Sequence, residues 1–486
     1  MQEAILIATL TTASDLEGQA SLEGVAWLEV RADLAGDLEI SWLRERFPGK
    51  VLYTLRSTQE GGSFTGGKER RAERLIAAAE SGFDLVDLEA ERDLRPDVLE
   101  KIPGERRVLS WHGSATDATG LRRRFDAMAK TPAVLYKLIP SAGPSDQTLA
   151  PLLFLHQLRR QDAIAFATGE TSTWSRLVAP HLGAPVVYGA LGEPGAAGQL
   201  SIERLRRDFG YPELSRVAAL FGVVGDPVSH SLSPRLHNTG YRKLGLPALY
   251  LPFQAESFGD FWLEVVESEV LANLGLPLKG LSVTAPFKRV ALAVAGASSP
   301  LAERIGAANT LVLNGGVWEA EATDPEGVVA PLEAAGLDLE GKSAAVLGCG
   351  GAGRSAAAGL VYRGAKVSLF NRTRERGRQT GYDLGLPVFG LEELDPSEFQ
   401  VVVHATALGH RPDDPLPFEP LSLEDGAVVV DMVYGEEPTP LVHACRQAGK
   451  KAIDGREVLL AQGRRQFEMM TGRQLPDDAA HEALGI

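Results

Sequence analysis

The sequence predicts an α/β protein: an N-terminal (β/α)8 barrel, then a two-domain module with a C-terminal Rossmann domain. Three observations predict it. Eight short apolar runs alternate with charged, helix-compatible stretches in the first part of the chain. Five consecutive runs end in ionisable residues: Glu29 with Arg31, then Arg56, Glu89, His112 and Lys137. Far downstream, Gly348-Cys349-Gly350-Gly351-Ala352-Gly353 separates a short apolar run from an alanine-rich stretch.

The eight runs are Ala4–Leu10, Val25–Val30, Val51–Leu55, Phe83–Leu88, Val108–Trp111, Ala133–Leu138, Ala163–Ala167 and Pro185–Tyr188. In such a barrel the active site lies at the carboxyl ends of the strands, where the five charged endings gather. A closing helix (Ser201–Phe209) and Gly-Tyr-Pro-Glu-Leu-Ser at 210–215 end the barrel, predicted to span 1–214. A smaller α/β domain is expected over 215–335, with strands near 217–224, 248–253, 280–284 and 310–313. Residues 336–455 read as a Rossmann domain: strand Ala344–Leu347, the glycine turn, helix Arg354–Tyr362 and strand Lys366–Phe370. Residues 456–486 are expected to be helices returning to the smaller domain.

At 486 residues the chain is too long for one core. With 44% hydrophobic and 23% charged residues its composition is that of a soluble globular protein. A formal charge of −15 argues against a nucleic-acid partner, which needs a basic face. Cys349 and Cys445 form neither a disulfide framework nor a metal-binding pair, and no metal is expected. No apolar stretch reaches bilayer length and no signal peptide opens the chain, so a cytoplasmic protein without a membrane partner is expected.

The rim residues define a chemistry. A lysine amine attacks a carbonyl only when deprotonated, and burial at a barrel mouth lowers its pKa. Lys137 is therefore a Schiff-base candidate and His112 its acid/base partner. Arg31, Arg56 and Arg176 imply an anionic substrate, a carboxylate, since guanidinium binds one bidentately. In the third domain the glycines let backbone approach a pyrophosphate at a helix N-terminus. The following strand ends in Asn371-Arg372-Thr373, with Arg374 and Arg376 close behind, rather than in an acid. Guanidiniums there suit a 2′-phosphate, so NADP is favoured over NAD.

The first half resembles type I 3-dehydroquinate dehydratase. The resemblance is carried by Glu29-Val30-Arg31-Ala32-Asp33, Thr54-Leu55-Arg56, Glu60-Gly61-Gly62, Asp87-Leu88-Glu89, Ser110-Trp111-His112, Lys137, Ser175-Arg176 and Gly198-Gln199. It implies that Lys137 forms an imine with the C3 ketone of 3-dehydroquinate and that His112 moves the C2 proton. It also implies that Glu89 supports His112, while Glu29, Arg31, Arg56, Arg176 and Gln199 hold hydroxyls and carboxylate. Two positions depart from the family: Gly195 stands where a serine is usual, and Gly113 where an acid or amide is usual.

The second half resembles shikimate dehydrogenase, through Gly225-Asp226-Pro227 with Ser229 to Pro234, Ser282 to Lys288, Ala308-Asn309-Thr310, Thr323-Asp324 and the returning Tyr434, Gln462 and Gln466. The resemblance implies Lys288 and Asp324 as the catalytic pair, and Ser231, Ser233, Thr284, Asn309, Tyr434 and Gln462 as substrate ligands. The cofactor would lie on Gly348, Gly350, Gly351, Ala352, Gly353, Asn371, Arg372, Thr373, Arg376 and Thr406. Pro325 and His404 depart from the family, which usually has Gly and Asn there. The chain thus reads as a bifunctional shikimate-pathway enzyme, a lyase and an NADP-dependent oxidoreductase acting on small molecules, monomeric or homodimeric. The rival readings are a quinate/shikimate dehydrogenase with an impaired barrel and a non-catalytic ligand sensor.

Overall fold

The computed structural model describes residues 2–17, 22–142, 145–409, 411 and 413–486. They form two compact units, Met1–Leu220 with Pro247–Leu278, and Phe221–Leu246 with Lys279–Ile486.

All eight expected barrel strands are present: β1 (Ile5–Leu10), β2 (Val25–Arg31), β3 (Lys50–Thr54), β4 (Leu85–Glu89), β5 (Arg107–Gly113), β6 (Leu135–Pro140), β7 (Ala163–Ala165) and β8 (Val186–Ala190). They pair in parallel in the order β7-β6-β5-β4-β3-β2-β1-β8. Short apolar strands suit this sheet because side chains on both faces are covered. Lys50 and Arg107 open β3 and β5, while Glu29, Arg31, Asp87, Glu89 and His112 lie toward the carboxyl ends of their strands and Lys137 lies midway along β6. Helix Lys68–Ser81 shows how the outer layer forms: Arg71, Ala72, Leu75, Ala78 and Ala79 make one buried stripe, and Gly82 ends the helix at φ 109°. Ser201 caps helix Ile202–Phe209 by accepting from the Arg204 amide. Strand Ala248–Gln254 belongs to this unit, with Phe253 packed on Trp174 at 5.4 Å between ring centroids.

The second unit contains two sheets. One orders Ala219–Gly225, Leu278–Val283, Thr310–Asn314, Val317–Glu321 and Ala297–Ser298, antiparallel through its middle. The other is parallel and orders Val388–Gly390, Lys366–Asn371, Ser343–Leu347, Val401–His404, Val428–Asp431 and Lys451–Ile453. In chain order that is 3-2-1-4-5-6, the doubly wound arrangement whose ligand crevice lies where strands 1 and 4 diverge. Val346, Val403, Val430 and Leu369 are wholly buried in its core, with Ala356, Ala357 and Leu360 of helix Gly351–Tyr362. Helix Gly455–Thr471 begins with a capping box in which the Asp454 amide donates to Glu457. Among the described residues no helix is long and apolar enough to cross a membrane.

Candidate active sites

The barrel rim gathers the expected polar side chains. Lys137, in β6, is 8% exposed, and its Nζ lies 3.9 Å from Glu29 Oε1. Burial lowers its pKa, opposed by Glu29 and aided by Arg56. Glu29, in β2, is held by the hydroxyls of Thr9 and Thr54, each donating at 2.9 Å. Both hydroxyls fix the side chain from neighbouring strands, so it stays beside the amine.

His112, in β5, has its ring Nδ1 3.0 Å from Glu60 Oε2, and its backbone amide donates to the same oxygen at 3.0 Å. The carboxylate on His112 is thus that of Glu60, not Glu89. Glu89 is wholly buried and accepts from the Ser57 amide and hydroxyl at 2.8 and 2.7 Å; Arg56, Arg71 and Arg92 surround it. Desolvation holds His112 well below an ordinary imidazole, reinforced by Arg56 and Lys137. Desolvation also pushes Glu60 up to about 8, with Glu89 and Asp87 acting against the pull of Arg56. The sequence shows one signal for Glu60: it follows Arg56 by four residues, in Glu60-Gly61-Gly62.

The three arginines separate by their partners. Arg56 Nη2 donates to Asp87 at 3.0 Å and its Nη1 to Ser110 at 2.8 Å, with Glu60 and Glu89 each at 3.4 Å. Arg31 is forked on Asp33 at 2.9 and 2.8 Å and reaches the Gly195 carbonyl at 2.7 Å. Among the described residues Arg176 has no carboxylate partner. Its Nη2 donates to the Ala197 carbonyl at 3.0 Å, it stands over the Phe166 ring at 4.4 Å, and its buried Nε has no hydrogen-bond partner among them. Burial alone lowers it to about 10. A desolvated guanidinium without a counter-charge is a receptor for an anion.

The two glycine departures have steric reasons. A Cβ on Gly113 would lie 2.2 Å from Trp111 Cζ2, so the tryptophan occupies the room of a side chain. A Cβ on Gly195 would meet Arg31 Nη1 at 3.2 Å and the methyls of Thr9 and Thr11 at 3.3 Å. The Gly195 amide instead donates to Gln199 Oε1 at 3.0 Å, while Gln199 Nε2 donates to Thr9 at 3.0 Å.

In the second unit, Lys288 opens helix Lys288–Val294 and donates to Asp324 Oδ2 at 2.5 Å. Asn309 Nδ2 donates to the other oxygen of Asp324 at 2.8 Å and lies 3.5 Å from Gln462 Oε1. The Thr323 amide locks Asn309 in place by donating to its Oδ1 at 2.7 Å. Tyr434 is hydrogen-bonded to Ser231; burial raises its pKa, and the charge of Asp324 adds to the effect. The Ser233 amide donates to Ser231 Oγ at 3.2 Å. Thr284 follows strand Leu278–Val283, and its methyl fills the space a Cβ on Gly225 would need, 2.2 Å away. Pro325 sits in the first turn of helix Asp324–Ala334, where its missing N–H costs nothing, and packs on Gly359.

A dinucleotide fits the neighbouring crevice. A Cβ on Gly353 would fall 1.8 Å from the Gly348 carbonyl oxygen, while Gly350 faces open space. Gly348 has φ 101°, a conformation open to glycine. Gly351 begins helix Gly351–Tyr362, and a Cβ there would lie 3.6 Å from Lys288 Cδ, so the glycine turn borders Lys288. Asn371 Oδ1 accepts from the Cys349 amide at 3.2 Å and its Nδ2 donates to the Thr373 carbonyl at 2.7 Å. Arg372 and Arg376 are exposed and make no ion pair among the described residues, which leaves both for a phosphate. His404 is wholly buried between Asp431 Oδ1, 3.0 Å from Nδ1, and Thr406 Oγ1, 2.6 Å from Nε2.

Comparison with known proteins matches both halves. Residues 5–211 match the type I 3-dehydroquinase family, and residues 223–311 match the shikimate dehydrogenase substrate binding domain. A bifunctional 3-dehydroquinate dehydratase/shikimate dehydrogenase of Arabidopsis thaliana is 27% identical, over 94% of this chain and 79% of that protein. A shikimate dehydrogenase (NADP+) of Halobacterium salinarum is 38% identical, over 54% of this chain and 98% of that protein. The crystal structure of shikimate dehydrogenase from Aquifex aeolicus has 33% identity and a TM-score of 0.51, covering 55% of this chain and 97% of its own. The chain belongs to the shikimate dehydrogenase family, with a type I 3-dehydroquinase domain joined ahead of it.

Proposed function

We propose that Lys137 and the Lys288–Asp324 pair are the reacting groups of two consecutive steps: dehydration of 3-dehydroquinate to 3-dehydroshikimate, and its NADPH-dependent reduction to shikimate. The observation that carries the first step is the meeting of three groups at one rim. They are an amine whose pKa is lowered by burial, an imidazole held neutral, and a guanidinium with no counter-charge. Arg176 takes the substrate carboxylate, and Lys137 attacks the ketone. The imine draws electrons from the neighbouring carbon, whose proton passes to His112. His112 then returns the proton to the departing hydroxyl, and water hydrolyses the imine. Glu60 fixes the ring and its tautomer. Glu29 and Gln199 accept and donate to substrate hydroxyls, and Arg31 and Arg56 hold the acidic groups that shape the pocket.

In the second unit Ser231, Ser233, Thr284, Asn309, Tyr434 and Gln462 orient the ring hydroxyls and carboxylate. The cofactor, when bound, supplies a hydride to the carbonyl carbon. Lys288 donates its proton to the carbonyl oxygen as negative charge develops there, and Asp324 keeps the ammonium aimed. The glycine turn receives the pyrophosphate, Arg372 and Arg376 the 2′-phosphate with Asn371 and Thr373, and Thr406 the nicotinamide side.

The test supplies 3-dehydroquinate and NADPH to the full chain and follows enone and nicotinamide absorbance together. Stoichiometric NADPH loss is expected. Lys137→Ala should abolish it unless 3-dehydroshikimate is supplied, and Lys288→Ala should let the enone accumulate. NADPH loss from 3-dehydroquinate in the Lys137→Ala chain would refute the assignment.

A further inference from the structure

Lys137 has a second close neighbour besides Glu29. The ring centroid of Tyr188 lies 4.3 Å from its Nζ. Tyr188 lies in β8, is 6% exposed, and its hydroxyl has no hydrogen-bond partner among the described residues. The phenol oxygen gains nothing from that position, so the ring is the useful part. Burial keeps the phenol neutral by raising its pKa well above the ordinary value, with Glu29 and Asp87 adding to the effect. A neutral ring keeps the electron-rich face that attracts a cation.

We propose that Tyr188 is a catalytic residue of the dehydratase site, its ring face stabilising the positive charge on the Lys137 nitrogen during imine formation. The inference rests on Lys137 being the imine-forming amine. Its neutral amine adds to the ketone carbon, forming C–N while the carbonyl π bond breaks and the oxygen takes the proton that the nitrogen gives up. A second proton, from outside, lets that oxygen leave as water with the C–O electron pair, while the nitrogen lone pair forms the C=N bond. The sum is amine plus ketone plus one proton giving iminium plus water, so one net charge arrives on nitrogen. Water cannot solvate this charge well where Lys137 is 8% exposed. Glu29 helps, but its two oxygens already accept from Thr9 and Thr54. The aromatic face supplies what remains.

Borohydride trapping reads this directly. The full chain is mixed with 3-dehydroquinate and sodium borohydride, and the adduct on Lys137 is followed by mass spectrometry in the wild type, Tyr188→Phe, Tyr188→Trp and Tyr188→Leu. The Phe variant should trap at the wild-type rate. The Leu variant should trap about ten- to thirtyfold more slowly, the size of a desolvated cation–π contact. The Trp variant keeps an aromatic face on a different outline and should trap faster than the Leu variant. Equal trapping by the Leu variant and the wild type would overturn the proposal. So would a Phe variant as slow as Leu, which would assign the effect to the hydroxyl, or a Trp variant no faster than Leu, which would assign it to packing. No adduct in the wild type would overturn the lysine assignment itself, and this inference with it.

Discussion

Replacing Arg176 with Met should weaken substrate binding and strengthen the fold at the same time. Burial lowers its guanidinium from the ordinary value to about 10. At roughly 1.4 kcal/mol per pH unit that is about 3 kcal/mol of desolvation without compensation. One nitrogen is bonded to the Ala197 carbonyl near the surface, so solvent returns part of it and about 1–2 kcal/mol should appear as added stability. A substrate carboxylate forked on the guanidinium makes two charged hydrogen bonds, together about 3–4 kcal/mol. Their loss raises KM for 3-dehydroquinate about 10²- to 10³-fold. Initial rates of enone formation give KM and kcat, and urea unfolding followed by tryptophan fluorescence gives stability. A KM within about threefold of the wild type would refute the reasoning, because the two charged hydrogen bonds could not then be made there. Reduced stability would show that the Phe166 stacking and the carbonyl bond outweigh the buried charge.

Glu60→Gln should remove a pH dependence of folding. The folded carboxyl sits at about 8 against an ordinary 4.5, so between those values the folded state holds a proton that the unfolded state has released. Stability from this group therefore falls as pH rises from 4.5 to about 8, so the wild-type urea midpoint should fall relative to the variant's across that range, whatever the buried histidines, whose lowered pKa values act in the opposite sense, contribute to both. A midpoint difference between wild type and variant that does not fall with pH contradicts the shift. Gly113→Asn should cost about 1–3 kcal/mol by driving Trp111 out of its site, with a red shift in tryptophan emission; unchanged melting refutes the steric account. Arg372→Leu with Arg376→Leu should raise the Kd for NADPH by about 10²-fold and leave NADH nearly unchanged, measured by nicotinamide fluorescence. Equal losses for both cofactors would place the 2′-phosphate elsewhere. His404→Leu leaves the buried Asp431 carboxylate without its ring partner and should cost about 3–5 kcal/mol, whereas His404→Asn, which restores a donor, should cost less; calorimetry of the full chain separates them.

Much of the fold is legible in the sequence because short-range patterns report burial directly. The eight apolar runs recover every barrel strand, for a strand covered on both faces is mostly apolar, although β6 continues through Leu138, Ile139 and Pro140 beyond Lys137. The glycine turn is legible for a similar reason: Gly348 needs a positive φ and Gly353 has no room for a Cβ. The site is legible as a set of residues but less so as a set of partners. Both His112 and Glu89 end barrel strands, which invites pairing them, yet the carboxylate on His112 comes from Glu60 in the loop after β3. Tyr188 reads simply as the last apolar residue of its run, and nothing local shows that its ring lies beneath Lys137.

By itself, then, the sequence determined which strands form, which chemistry-bearing residues each one ends in, and that the downstream turn suits a pyrophosphate. The tertiary structure decided how those groups share charge. Arg31, Arg56 and Arg176 are equivalent as letters, but among the described residues only Arg176 is left without a carboxylate, because Asp33, two residues on, forks Arg31 and Asp87, from the neighbouring strand, takes Arg56. The steric reasons for Gly113 and Gly195 likewise lie in Trp111, Arg31 and two threonines. Periodicity records whether a residue is buried. Coulomb energies, desolvation and close contact depend on distances of a few ångströms between segments far apart in the chain, and only folding sets those.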